Sequence, residues 1–430
     1  MSDGAIGFLG LATLMVMIGL RVPIGLSLLS VSIIGLEPAL GILRTIPFSF
    51  AANWQLSSVP MFLLMGFLCY HAGLTRGLFD AARVWLGRLP GGLAIASVFG
   101  ASGFAAVTGS SVACAAAMGR IAVPEMMRLR YDPALATGTV AAAGTIGALI
   151  PPSILFIIYG IIAQQPIGNL FLGGAAAGIL TAVSYIVTIL IWVGLRPSVA
   201  PRSVETSDWP ERIRTLVGIL PVVGLALAVF GGLFGGVFTP TEAGAVGVAL
   251  AMIIGLAQRT LTWASFKESV TEAFVTSAAL FVIAIGANLL SRFVTLSGAG
   301  DALSDIAIGI SADPLVLIQG ITLVYLVLGM FLDPMGAMLI TLPVLLPIAK
   351  ASGFDLIWFG VIVAKLLETG MITPPVGLNV FVIKSVVDPS ITVTTIFKGV
   401  TAFLLADLVV VVLLVSLPDI ILWLPRLMNG

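Results

Sequence analysis

Apolar runs close to the twenty residues that a helix needs to cross a bilayer recur from one end of this chain to the other. Backbone groups in hydrocarbon must satisfy one another, which restricts such runs to helices. Of 430 residues, 59% are hydrophobic and 9% are charged, where a soluble domain carries about 25% charged residues. The sequence therefore predicts an all-α polytopic membrane protein. A soluble enzyme with a large core is excluded, and nucleic-acid binding has no basic patch to rest on. The formal net charge of zero says little, because in a membrane the placement of charge matters more than its sum. Cys69 and Cys114 lie in apolar helical sequence, so a disulfide framework is not expected.

Candidate spans fall at roughly 4–20, 22–40, 57–73, 134–163, 169–194, 215–235, 241–257, 269–292, 356–387 and 396–417. Trp54, Trp192, Trp263, Trp358 and Trp423 sit near their ends, as an interfacial aromatic belt requires. The start has an acidic flank and no clear cleavage site, so it reads as a retained first span. The most polar connection, 196–214, carries Arg196, Arg202, Arg212 and Arg214 and is expected in the cytoplasm. Counting outward puts the N-terminus outside. Arg21, Arg128, Arg130, Arg259 and Lys267 then fall inside; Arg44, Lys350 and Arg426 are exceptions.

Two Pro-Pro pairs interrupt apolar sequence, at GALIPPSILF (147–156) and GMITPPVGLN (370–379). Proline inside a helix removes a backbone hydrogen bond and costs about 3 kcal/mol. Shifting the chain by 374 − 151 = 223 residues superposes the pairs, and Pro124 then meets Pro347, Asp132 meets Asp355, Gly147 meets Gly370 and Pro166 meets Pro389 without a gap. Such similarity marks a duplicated unit. The expected halves are 1–195 and 215–430, joined by the 196–214 linker. The amphipathic stretch 74–93 holds Arg76, Arg83 and Arg88 against Asp80, whereas its counterpart 298–315 holds Asp301, Asp305 and Asp313 and no basic residue. One suits the cytoplasmic side and the other the outside, so the repeats are expected to be inverted.

Each half also holds a stretch that enters and leaves on one side, about 94–127 and about 314–350, turning at Thr108–Ser111 and Leu332–Gly336. Their limbs are short for a full crossing, so both read as re-entrant hairpins. Each precedes a broken helix, about 134–163 and about 356–387. Non-helical backbone is tolerated at that depth only where it lines a cavity or is buried in protein. Freed carbonyls and hydroxyls suit a sodium ion, and helix N-termini suit an anionic substrate. Ser110, Ser111, Ser153, Asp333, Thr373 and Asn379 supply the polar side chains. Lys365 and Glu368, three apart, are expected to neutralise each other. Glu242 is expected near an outer surface, holding a loop or a partner, and His71 reads as an interfacial polar residue. Glu272 and Asp407 receive no role.

The stretches GRLPGGLAIASVFGASGFAAVTGSS, YDPALATG, GALIPPSILFIIYG, FTPTEAGAVGV and TPPVGLNVFVIK, with the closing LPDIILWLP, resemble the large membrane subunit of tripartite ATP-independent periplasmic (TRAP) transporters. The resemblance covers nearly the whole chain. It implies an elevator-type transporter, not an enzyme, in the bacterial inner membrane. It further implies sodium-driven symport of an organic acid, typically a carboxylate, with sodium as the coupling ion and no covalent cofactor. Its implied partners are a periplasmic substrate-binding protein and a small four-helix membrane subunit, a separate polypeptide here. Carried over by position, one sodium site falls around Gly109, Ser110, Ser111 and Gly147 to Pro152, including Pro151. The second falls around Asp333 to Gly336 and around Thr373, Pro374 and Gly377. Ser110, Ser111, Ser153 and Asn379 are the candidate substrate-binding residues.

One sodium ion crossing 100 mV gains about 2.3 kcal/mol, enough for two or more to concentrate a monoanion. No G-x-x-x-x-G-K-[ST] loop is present. A stand-alone sodium–carboxylate symporter of the same superfamily is the nearer alternative. An intramembrane aspartyl protease is the remote one, because Asp132 and Asp301 are placed on opposite sides. A zinc protease lacks H-E-x-x-H and has one histidine to offer.

Overall fold

The computed structural model describes residues 3–36, 40–201, 208–310 and 313–429. Arg202, and the side chains of Arg44 and Arg76, lie outside the described residues. Among those described the chain is helical, with no strand. The first half runs α1 (Asp3–Gly19), α2 (Ile24–Gly35), α3 (Leu40–Ala51), α4 (Ser58–His71), α5 (Arg76–Leu86), α6 (Gly92–Thr108), α7 (Ser111–Arg128), α8 (Pro133–Gly144), α9 (Ile154–Ala163) and α10 (Ile167–Leu195). The second runs α11 (Trp209–Phe234), α12 (Pro240–Ala257), α13 (Trp263–Leu296), α14 (Ala299–Ile310), α15 (Pro314–Phe331), α16 (Pro334–Ala351), α17 (Leu356–Gly370), α18 (Leu378–Val386), α19 (Val393–Ser416) and α20 (Asp419–Asn429).

The 223-residue shift lays Ser111–Arg128 end to end on Pro334–Ala351, and α5, α6, α8 and α9 fall on α14, α15, α17 and α18 within a few residues. The local cause is visible at the caps. Asp132 accepts from the Ala134 and Leu135 amides at 2.7 and 3.4 Å, and its counterpart Asp355 accepts from Ile357 and Trp358 at 2.8 and 3.0 Å. Aspartate satisfies amides that a helix start leaves unpaired, fixing both starts in register. The register fails at α13, one continuous helix where the first half has α3, a 3-10 turn at Trp54–Ser57 and α4. That continuity makes the span longer than the expected 269–292. Pro47 and the Asn53 cap interrupt the first-half copy. Two further departures stand out. α11 begins at Trp209, inside the expected linker, and the amphipathic α20 lies beyond the last expected span.

Among the described residues seven helices, α10, α11, α12, α13, α15, α16 and α19, are long and apolar enough to cross a membrane. α15 and α16, the limbs of the second hairpin, are 18 residues each, about 27 Å at 1.5 Å per residue. Two buried apolar clusters form the interior. One joins α2, α4, α9, the first part of α10, α13, α16 and α17. The other joins the first hairpin (α6 and α7) to α8, the end of α10, α18 and α19. Outward faces of α11, α13 and α19 carry exposed Leu216, Leu227, Phe274, Leu405 and Val412, the pattern of helices facing lipid.

Candidate functional site

The two hairpins end in turns of the same design. Gly109 closes α6 in the left-handed region (φ +63°), and Ser110 caps α7, its hydroxyl accepting from the Ala113 amide at 3.4 Å. In the second hairpin Asp333 caps α16, its Oδ2 accepting from the Gly336 amide at 2.9 Å. The first tip lies hard against the first break. A Cβ added at Gly109 would collide with the Pro152 carbonyl oxygen, and one at Gly147 would sit 2.9 Å from that of Ser110.

Each broken helix loses its regular bonding around a Pro-Pro pair. After α8 comes a 3-10 turn at Thr145–Ala148, then non-helical chain through Pro151 and Pro152, and α9 restarts at Ile154. Ser153 caps that restart, accepting from Phe156 at 3.4 Å. After α17 the chain passes Thr373, Pro374 and Pro375 before α18. Two amides stitch this second break: Gly377 donates to the Met330 carbonyl and Asn379 to that of Met371, at 3.3 and 3.0 Å. Both Pro-Pro bonds are cis.

A cavity of about 410 Å³ opens between the hairpin tips. Its wall takes Gly109, Ser110 and Ser111 from one tip, Asp333 and Pro334 from the other, and Glu368 from α17; Gly66 and Tyr70 of α4 and Glu272 and Thr276 of α13 face it from outside the hairpins. The starts of α7, α9 and α16 all reach it, at Ser111, Ile154 and Pro334. Helix N-termini carry partial positive charge that favours an anion, while Glu272, Asp333 and Glu368 put three carboxyl groups and no basic side chain on the same wall.

The structure thus brings Gly109, Ser110, Ser111 and Asp333 together. It leaves Gly147, Pro151, Ser153, Gly336, Thr373, Pro374, Gly377 and Asn379 outside the cavity wall. Ser153 is spent on its cap, and Thr373 donates to the Thr369 carbonyl at 2.7 Å. Asn379 is fully buried; its Nδ2 donates to the Ala141 carbonyl at 3.4 Å while its Oδ1 has no partner.

The charges pair differently from the sequence expectation. Lys365 does not pair with Glu368. Its Nζ lies 2.5 Å from Oδ1 of Asp407 on α19, and both side chains are fully buried. Tyr185 and Thr369 also donate to Asp407, at 2.8 and 2.9 Å. The physical reason is rotation: on α17 Lys365 faces α19, whereas Glu368 turns to the cavity and accepts from Ser111 at 3.0 Å. His71 is not merely interfacial; its Nε2 and Nδ1 lie 3.1 and 3.6 Å from Glu272 and Glu268, tying α4 to α13. Glu242 holds its own helix start, completing a capping box with Thr239 at 2.8 Å.

Sequence reasoning missed Glu368, Glu272 and Thr276 as wall residues. One signal was available for the first: under the 223 shift Lys365, Glu368 and Asp407 fall on Ala142, Thr145 and Ser184, so the charges belong to one repeat alone.

A polytopic helical bundle with a cavity between two hairpin tips and two broken helices defines the class: a membrane transport protein. Similarity to known proteins narrows it. The family model for the tripartite ATP-independent periplasmic transporter, DctM component, matches residues 11–420. The chain is 33% identical to the C4-dicarboxylate TRAP transporter large permease protein DctM of Pseudomonas aeruginosa, covering 88% of each. It is 32% identical to the sialic acid TRAP transporter large permease protein SiaM of Vibrio cholerae, again over 88% of each. The isethionate TRAP transporter permease protein DctMQ of Oleidesulfovibrio alaskensis is 32% identical over 95% of this chain, which spans 65% of that relative's length. A crystal structure of the Alcanivorax borkumensis YdaH transporter shares the fold, with TM-score 0.59, 16% identity, and coverage of 89% of this chain and 90% of that one. The chain belongs to the DctM family, the large permease subunits of TRAP transporters. It is a multi-pass membrane transport component rather than an enzyme.

Proposed function

We propose that this chain carries an organic acid inward across the bacterial inner membrane, driven by a sodium gradient. A periplasmic binding protein delivers the acid, and a small membrane subunit braces the permease. The observation that carries this reading is the cavity itself, where three helix starts offer partial positive charge to an anion and the hydroxyls of the first tip offer oxygens to sodium. One sodium ion sits around Gly109, Ser110 and the Gly147 to Pro152 break. The second sits around the Asp333 tip and the Thr373 to Gly377 break. Ser110 and Ser111 line the cavity that the acid enters.

The halves are inverted repeats with an external N-terminus, and the hairpins are re-entrant. The 223-residue coincidence of elements and the opposite charges of 74–93 and 298–315 support this. The hairpins and broken helices move together against α4 and α13, which face the cavity from the other side.

The test is uptake of radiolabelled carboxylates into proteoliposomes holding this chain and its small subunit, with the sodium gradient and the binding protein varied independently. Uptake should require both. Sodium-driven uptake without the binding protein would replace this reading with a stand-alone symporter, and uptake indifferent to sodium would overturn it.

A further inference from the structure

Glu368 is fully buried in α17 and lies on the cavity wall. Its Oε1 accepts from the Ser111 hydroxyl at 3.0 Å; its Oε2 has no hydrogen-bond partner. Among the described residues no lysine, arginine or histidine forms an ion pair with it. The nearest candidate in sequence, Lys365, is held by Asp407, which is itself filled by Tyr185 and Thr369. That pair closes on itself and leaves Glu368 a buried carboxyl with no basic partner among the described residues, whose charged form has nothing in the interior to offset it. Such a charge is costly unless a cation joins it.

An oxygen donor for a hard cation stands beside the carboxylate, and Met371 Sδ lies 3.5 Å from that donor. The Ser111 hydroxyl touches the carboxylate, and the backbone of the Gly109 to Ser111 tip packs against Gly147. We propose that Glu368 is the anionic ligand of a sodium ion held between the first hairpin tip and the second broken helix. This deepens the sodium-driven reading above and rests on it. The ion fastens a hydroxyl of one repeat to a carboxylate of the other. It also sets an order of binding. A bare Glu368 carboxylate adds to the negative charge that Asp333 and Glu272 put on this wall, whereas a sodium-neutralised one lowers the repulsion that an entering organic acid meets. Sodium binding therefore precedes and favours acid binding, a coupling that works equally in both directions.

The test needs no substrate. The purified full-length permease, with its small subunit, is followed by thermal unfolding while sodium chloride replaces choline chloride at constant ionic strength. A ligand that binds the folded state raises the unfolding midpoint by mass action. Sodium should raise the wild-type midpoint, and Glu368→Gln should weaken its apparent affinity about tenfold or more. The midpoint of Glu368→Gln in choline should be no lower than wild type, because the amide oxygen still accepts from Ser111 while the buried carboxyl is gone. Glu368→Asp, which keeps the charge but draws it back, should retain part of the sodium response. A wild type that sodium does not stabilise would sink the sodium-driven reading. A wild type that responds, beside a Glu368→Gln of unchanged sodium affinity, would overturn the present proposal alone. If Glu368→Gln does not fold, unchanged affinity in Glu368→Asp would overturn it equally.

Discussion

The two broken helices share a backbone plan and differ in charge. In the first repeat, Ala142 and Thr145 of the α8 segment correspond to Lys365 and Glu368, and the polar link to α10 is a neutral one, Thr145 to Tyr185 at 3.2 Å. In the second, Lys365 pairs with Asp407 of α19, which falls on Ser184 of α10, and Glu368 turns away to Ser111. The tips differ as well. The first seats its turn directly on its break, Gly109 against Pro152. The second meets its break before the turn: a Cβ added at Gly370 would lie 2.6 Å from the Gly329 Cα, and Gly377 donates to Met330. Its own tip turns to Ile24 of α2, which would lie 2.7 Å from a Cβ at Gly336. Duplication therefore preserves where helices start and stop, while packing assigns each copy its own contacts. The first repeat presents a tip clamped to its break. The second presents charge.

Breaking the charged copy should cost most. Lys365→Met leaves Asp407 buried and uncompensated, a loss of about 3–5 kcal/mol. The double variant Lys365→Met with Asp407→Leu should recover most of it, and thermal unfolding of all three proteins in detergent checks this. A double variant no better than the single would show that the pair is not a closed unit.

The clamped tip comes next. Gly109→Ala forces a left-handed side chain, about 1–2 kcal/mol, and drives its Cβ into a backbone carbonyl that cannot move freely. Gly336→Ala, in the first turn of α16, meets only the end of Ile24 and the Asp333 carboxylate, both able to shift. Midpoints and uptake should fall steeply for the first and little for the second. Equal losses would erase the distinction between a clamped and an unclamped tip. Gly370→Ala pushes two backbones apart and should cost about 1–3 kcal/mol, visible as a lower midpoint.

The smallest effect compares the caps. Ser110→Ala and Asp333→Ala each remove one helix cap, about 1 kcal/mol. If capping is all they do, the two variants should lose similar stability, and any difference in the sodium dependence of uptake would belong to the cavity they share.

The caps at Asp132 and Asp355, the Pro-Pro pairs and the apolar run lengths are local, so the sequence by itself determined that helices break there and in matching register. Hydrocarbon enforces this, because an interrupted helix there must find other partners for its backbone. The continuity of α13 and the extra α20 were less legible, since both depend on packing against neighbours rather than on a strong local stop signal. Only the tertiary structure decided the partners. Lys365 and Glu368 are one helical turn apart and suggest a pair, yet the rotation of α17 sends one to Asp407 and the other to Ser111. Those contacts span 42 and 257 residues of chain, a separation over which sequence spacing carries no orientation. Which faces meet is fixed by close backbone approach at positions such as Gly109 and Gly370. That geometry turns a duplicated helical plan into a single asymmetric cavity.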